Sequence, residues 1–235
     1  MGIIWLAVLA NIVGGMTVLA RKNWAGKSLY AMISVGGGLL FALTVLDLLP
    51  HTAGHGQGMM PFVLIGFLLL LVLDLILRSG DEKKAAAGRT VGVVAGFMVH
   101  AFLEGVSLVA GMQMDTRLGL PLLTAMMLHR IPDGVTVASF ILAATGKRST
   151  AFLGAVALGL ATYVGAISMQ VAGGYLSHRA GDIGMALATG VFLYISATHI
   201  VPLVQDKRYP GLGLYFIGAI LCYLLIAQGI GGHHH

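Results

Sequence analysis

The chain has 235 residues, of which 57% are hydrophobic and 10% charged, with a mean hydropathy of +0.91 and a formal net charge of +5. Soluble domains carry about 25% charged residues, so this balance excludes a soluble domain and puts most of the chain in lipid. It also excludes a nucleic-acid partner, because the basic residues lie in short loops beside apolar runs and form no patch.

A membrane-spanning helix needs about 20 mostly apolar residues. The pattern predicts an all-α integral membrane protein with eight such helices, at residues 2–20, 29–49, 61–77, 91–113, 120–145, 150–176, 183–204 and 211–230. The first reads as a span and not a signal peptide, since Arg21-Lys22 follow the apolar run instead of preceding it. The last contains Cys222, the single cysteine, so an intrachain disulfide and a cysteine-based metal site are both excluded. Residues 1–230 read as one domain. Residues 231–235 read as the remnant of an affinity tag, and His233, His234 and His235 are set aside. The 34 glycines read as close helix packing.

The loops predict an orientation. Arg21, Lys22 and Lys27 follow the first segment, and Arg78, Lys83, Lys84 and Arg89 the third. Lys147 and Arg148 follow the fifth, and Lys207 and Arg208 the seventh. The opposite loops hold Arg117 and Arg179, and Arg130 lies within the fifth segment. The positive-inside rule puts the first set of loops in the cytoplasm and both termini outside.

Two internal repeats follow. Phe97-Met-Val-His100 through Ser107 matches Met126-Met-Leu-His129 through Thr136 at an offset of 29. Gly38 with Asp47-Leu-Leu-Pro50 matches Gly190 with His199-Ile-Val-Pro202, the polar residue standing nine after the glycine in both. The paired segments run in opposite directions, so the repeats are inverted, as in transporters whose site lies at the repeat interface.

The matched segments carry the chemistry. His100 and Glu104, and likewise His129 and Asp133, stand four apart, on one face of a helix. Both histidines fall at the tenth residue of their segments, about 15 Å into a core roughly 30 Å thick. The bland reading is hydrogen-bonded helix glue. The sharper one is a first shell of two imidazoles and two carboxylates for a divalent cation, which would balance two buried carboxylates. This donor mixture suits Zn²⁺, with Fe²⁺, Mn²⁺, Co²⁺ or Cd²⁺ as further candidates. The imidazoles must be neutral to bind, so acid is expected to weaken binding. Pro132 removes a backbone donor and predicts a widening of the fifth segment near residue 128.

Arg130 has two readings. It pairs with Asp133 or Glu104, or it occupies a second cation subsite and leaves room for one ion. Asp47 near the outer end and His199 near the inner end are expected on the ion's path. His51 and His55 outside, and Asp206 inside, are weaker candidates for it. Asp74 is expected to pair with Arg78, four residues on. Asn11, Thr162, Ser168 and Gln170 read as interhelical hydrogen bonders, and Met112, Met114, Met126 and Met127 as packing.

These motifs resemble the ZIP (Zrt/Irt-like) family of metal transporters, in its bacterial type, across essentially all eight segments. The family's fourth and fifth helices read His-Asn-x-Pro-Glu-Gly and His/Gln-x-Ile-Pro-Glu-Gly. Here they read His100-Ala-Phe-Leu-Glu104-Gly and His129-Arg-Ile-Pro-Asp133-Gly, and Asp47-Leu-Leu-Pro50 resembles the outer motif of helix 2. The resemblance implies a single transport domain with a 3+2+3 bundle in a bacterial inner membrane. It also implies elevator-like alternating access and metal entry into the cytoplasm between helices 4 and 5. Ala101, Arg130 and Thr162 stand where the family carries ligands for a second metal. One ion is therefore expected, as transported substrate and not as cofactor. The expected partners are that ion and the bilayer, with a homodimer left open. The rival from another class is a metal-dependent intramembrane hydrolase, though no His-Glu-x-x-His is present. A third is a metal sensor or proton conductor that never moves the metal.

Overall fold

A computed structural model describes residues 2–20, 24, 26–54, 58–77, 82–114, 119–172, 178–206 and 208–231. Among these the backbone forms eight continuous helical stretches and no strand. They are α1 (Gly2–Ala20), α3 (Met60–Leu77), α4 (Glu82–Met114), α5 (Gly119–Thr145), α6 (Arg148–Ala172) and α8 (Leu212–Gly231), with two composite helices. The composite α2 runs as Gly26–Leu43, a π turn Thr44–Leu48, and Leu49–Gly54. The composite α7 runs as His178–Ile195, a π turn Ser196–Ile200, and Val201–Val204. Among the described residues, four stretches are long and apolar enough to cross a membrane: Gly26–Gly54, Thr90–Val109, Arg148–Ala172 and Gly181–Val204. Shorter apolar stretches are Ile4–Ala20, Met60–Ile76 and Leu212–Ala227.

The distribution of side chains is that of a membrane protein. Leu6, Leu64, Ile76, Leu214 and Leu225 face outward, whereas His100, Glu104, Arg130 and Asp133 are buried. A water-soluble domain sorts these types the other way.

Two local features depart from expectation. The helix of α4 begins at Glu82, nine residues before the apolar run, because Glu82-Lys-Lys-Ala-Ala-Ala is made of helix formers that hydropathy does not register. Pro132 does not widen α5, which stays α-helical through it. The widening falls instead just before Pro50 and Pro202. Each ring displaces the carbonyl four residues back, of Leu46 or Thr198, and the chain relaxes into a π turn. Both prolines lie within a turn or so of a helix end, where rotation is cheap. Around Pro132 the backbone is pinned, with Gly14 of α1 seated against the Ile131 carbonyl. The turn from α5 to α6 closes at Gly146, whose φ of 67° suits glycine and whose N–H donates to Leu142 O at 2.8 Å.

Helices α1, α4, α5 and α6 pack on one another, and α2 with α8, and α3 with α7, form a second set. The sets meet where α4 lies on α7 and α3, and where α5 lies on α2. Tyr30–Tyr209, Phe41–Phe216 and Asp47–Tyr223 meet in that order, so α2 and α8 run parallel. Ser107–Gly181, Leu103–Gly184 and Phe97–Phe192 make α4 and α7 antiparallel.

The close crossings extend the internal repeat. On α4 and α6, Gly105 meets the Thr162 backbone and Gly165 meets that of Phe102. On α5 and α1, Gly134 meets the Asn11 backbone and Gly14 meets that of Ile131. The two crossings are equivalent, and they align Leu9-Ala-Asn-Ile-Val-Gly14 with Leu160-Ala-Thr-Tyr-Val-Gly165. A second such pair places Gly38 of α2 on Phe216 of α8, and Gly190 of α7 on Val63 of α3.

Candidate metal centre

The site is built where α4 and α5 face one another. The helical four-residue spacing puts His100 over Glu104 and His129 over Asp133, and packing brings the two faces together. His129 Nε2 and Glu104 Oε1 are hydrogen-bonded at 2.6 Å. His100 Nε2 lies 3.3 Å from Glu104 Oε2. The donor atoms of His100, His129 and Asp133 all lie within 4.8 Å of one another, a spacing that could hold a metal ion. All four side chains are shielded, His129 the least.

His100 is the most telling of them. It is 2% exposed, its ring lies on Phe192 of α7 at 3.8 Å between centroids, its Nδ1 makes no hydrogen bond, and its Nε2 has the 3.3 Å approach to Glu104 Oε2 without hydrogen-bond alignment. A buried imidazole left this way costs free energy unless something binds its nitrogen.

Arg130 resolves toward Glu104. Its Nη2 is 2.7 Å from Glu104 Oε2, with both side chains buried, and Nη1 donates to Thr162 Oγ1 of α6. The Asn11 amide of α1, turned to match its neighbours, donates to the Arg130 carbonyl at 2.8 Å and accepts from Nη1 at 3.1 Å. Counted with ionised carboxylates and neutral imidazoles, Glu104, Asp133 and Arg130 leave one negative charge in excess, which suits a cation. Ala101, the counterpart of Arg130 on α4, is buried.

The remaining expected residues lie elsewhere. Asp47 and His199 each sit in a π turn, at equivalent positions of α2 and α7. The Asp47 carboxylate accepts a hydrogen bond from the Tyr223 hydroxyl of α8. The His199 ring meets Tyr194 edge-on at 5.5 Å. His51 lines a narrow cavity with Thr52, Met59, Asp182 and Met185. Asp206 accepts from the backbone N–H of Arg208 at 2.9 Å in the turn after α7. Asp74 is buried and accepts from the Tyr194 hydroxyl at 3.0 Å, while Arg78 and His55 lie outside the described residues. Sequence reasoning missed Phe192, Tyr194, Tyr223 and Asp182. The two tyrosines read as ordinary apolar positions in their helices, and no spacing rule links them to Asp47 or Asp74.

Comparison with known proteins gives the family. Residues 78–232, about two thirds of the chain, match the family model described as ZIP Zinc transporter. The zinc transporter ZIP9 of Xenopus tropicalis is 29% identical over 154 residues, 60% of this chain and 50% of that protein. The chain thus spans about half the length of the ZIP9 relatives it matches. The zinc transporter ZupT of Escherichia coli O7:K1 is 25% identical over 248 aligned positions, covering 96% of both chains. That of Enterobacter sp. (strain 638) is 26% identical over 217, covering 86% and 84%. The family is one of transporters and not of enzymes, which removes the hydrolase reading. A membrane-embedded helical chain that pairs His100 with Glu104 and His129 with Asp133 on facing helices, and matches this model over two thirds of its length, belongs to the ZIP zinc transporter family.

Proposed function

We propose that this chain carries a divalent transition-metal ion, Zn²⁺ first among the candidates, across the bacterial inner membrane into the cytoplasm. All eight helices span the bilayer, with both termini outside. A single ion sits among His100, His129 and Asp133, with Glu104 beside it. Asp47, with His51, collects the ion outside, and His199 receives it inside. The group α1, α4, α5 and α6 moves against α2, α3, α7 and α8, exposing the site to one side and then the other.

The observation that carries this reading is His100, a buried imidazole with no directed hydrogen bond, aimed at two further donors within 4.8 Å. Two nitrogens and an oxygen suit Zn²⁺, while leaving Fe²⁺, Mn²⁺ and Cd²⁺ admissible. Relatives named as zinc transporters support the choice of ion. The equivalent π turns at Asp47 and His199 support a path, since such turns concentrate at functional sites and strip carbonyls of their usual donors. Ala101, Arg130 and Thr162 support a single ion, because none of them is a first-rate metal ligand and Arg130 already fills the space beside Glu104.

Uptake of Zn²⁺ into proteoliposomes tests the assignment. His129→Ala and Asp133→Ala are expected to reduce it to the level of empty vesicles. Uptake at the parent rate by both variants would remove the central site.

A further inference from the structure

Arg130 is 1% exposed and touches three helices besides its own. Its Nη2 faces Glu104 Oε2 of α4 at 2.7 Å, and its Nη1 is shared between Thr162 Oγ1 of α6 and the Asn11 side-chain oxygen of α1. The Asn11 amide nitrogen grips the Arg130 carbonyl, so backbone and guanidinium are held by one side chain. Asn11 and Thr162 are equivalent positions of the internal repeat. The clamp therefore uses both copies of the repeat to close on a cation present in only one of them, since Ala101 stands at the matching place in α4.

Both Glu104 oxygens are engaged, Oε1 with His129 and Oε2 with Arg130. The donor atoms of His100, His129 and Asp133 lie within 4.8 Å of one another. Resting on the transport reading above, we infer that Arg130, clamped by Asn11 and Thr162, competes with the cargo ion for Glu104. It keeps that carboxylate a shared neighbour instead of a full ligand. A ligand whose charge is already met by a fixed cation gives less to the ion. A carrier gains from this, because an ion must be held firmly enough to enter and loosely enough to leave. The guanidinium suits the task. Its planar fork meets the carboxylate, the hydroxyl and the amide at once.

The test compares the parent with Arg130→Gln and Thr162→Val. Zn²⁺ binding is followed by isothermal titration calorimetry on detergent-purified protein, and initial uptake rates are measured in proteoliposomes. Arg130→Gln hands Glu104 to the ion, so Kd should fall roughly 10-fold, and maximal uptake should fall with it as release slows. Thr162→Val keeps the guanidinium and loosens only the clamp, so both quantities should move the same way by less. Structural damage weakens binding, so a gain in affinity is not its by-product. An unchanged or raised Kd in both variants overturns the inference, and so does a second equivalent of Zn²⁺ bound by Arg130→Gln with the first Kd unchanged, which would make Arg130 a mere occupant of space. A parent that neither binds nor carries Zn²⁺ sinks the transport reading and this inference with it. A parent that does both, beside variants that match it, sinks this inference alone.

Discussion

His100 is held by packing. Its ring lies on Phe192 at 3.8 Å and 34°, and Phe192 in turn meets Phe97 at 5.4 Å. The aromatic face fixes the direction of the imidazole nitrogens without consuming either one, which a hydrogen bond would do. Phe192→Ala should therefore act twice. Emptying a fully buried aromatic position costs about 3–5 kcal/mol, which a thermal melt in detergent would register. The released imidazole should also bind Zn²⁺ more weakly, whereas Phe192→Tyr, which keeps a ring against His100, should largely preserve affinity. Weakened melting with unchanged Kd would show that Phe192 only fills space. At this scale the pairing of candidate ligands along each helix was legible in the chain. The i,i+4 spacing of His100 with Glu104 and His129 with Asp133 needs only helix geometry. The partner of Arg130 was not legible, because the choice between Asp133 and Glu104 depends on where α1 and α6 place Asn11 and Thr162.

Helix crossings are set by glycines that meet backbone and not side chain. An added Cβ at Gly105 would strike the Thr162 carbonyl, and one at Gly134 the Asn11 carbonyl. Neither obstacle can swing aside. Gly105→Ala and Gly134→Ala should each cost about 1–3 kcal/mol and lower the yield of monodisperse protein in size-exclusion chromatography. Gly92→Ala, with nothing within 4 Å of the added atom, should leave the yield alone or improve it. Equal yields for all three would mean that the crossings have slack. The helices themselves were largely legible as apolar runs, to within a few residues at most ends. The equivalence of α1 with α6 was not, since Leu-Ala-x-x-Val-Gly is ordinary membrane sequence and the polar residues that match, Asn11 and Thr162, differ in type. The π turns were half legible. Pro50 and Pro202 were visible in the repeat, but a proline alone does not say whether the helix will kink, widen or stay regular, as Pro132 shows.

The whole molecule is two helical sets joined along two related seams, α4 on α7 and α5 on α2. The proposed ligands lie in one set, on α4 and α5, while the two π turns lie in the other. Carrying an ion from Asp47 to His199 by alternating access therefore requires the seams to slip while each set stays whole. The α4–α7 seam offers a direct way to forbid this. A Cβ on Gly184 would lie 3.9 Å from the Leu103 Cβ, close to the separation a disulfide requires. Leu103→Cys with Gly184→Cys, in a Cys222→Ser background that removes the native thiol, should form a bond between the sets under mild oxidation. Uptake into proteoliposomes should then fall to background and return on reduction, with Zn²⁺ affinity in detergent little changed, because the donors move together within their own set. Full uptake by protein shown by thiol titration to be cross-linked would mean that α4 and α7 do not slide, and that the ion passes through a fixed seam instead of being carried across it.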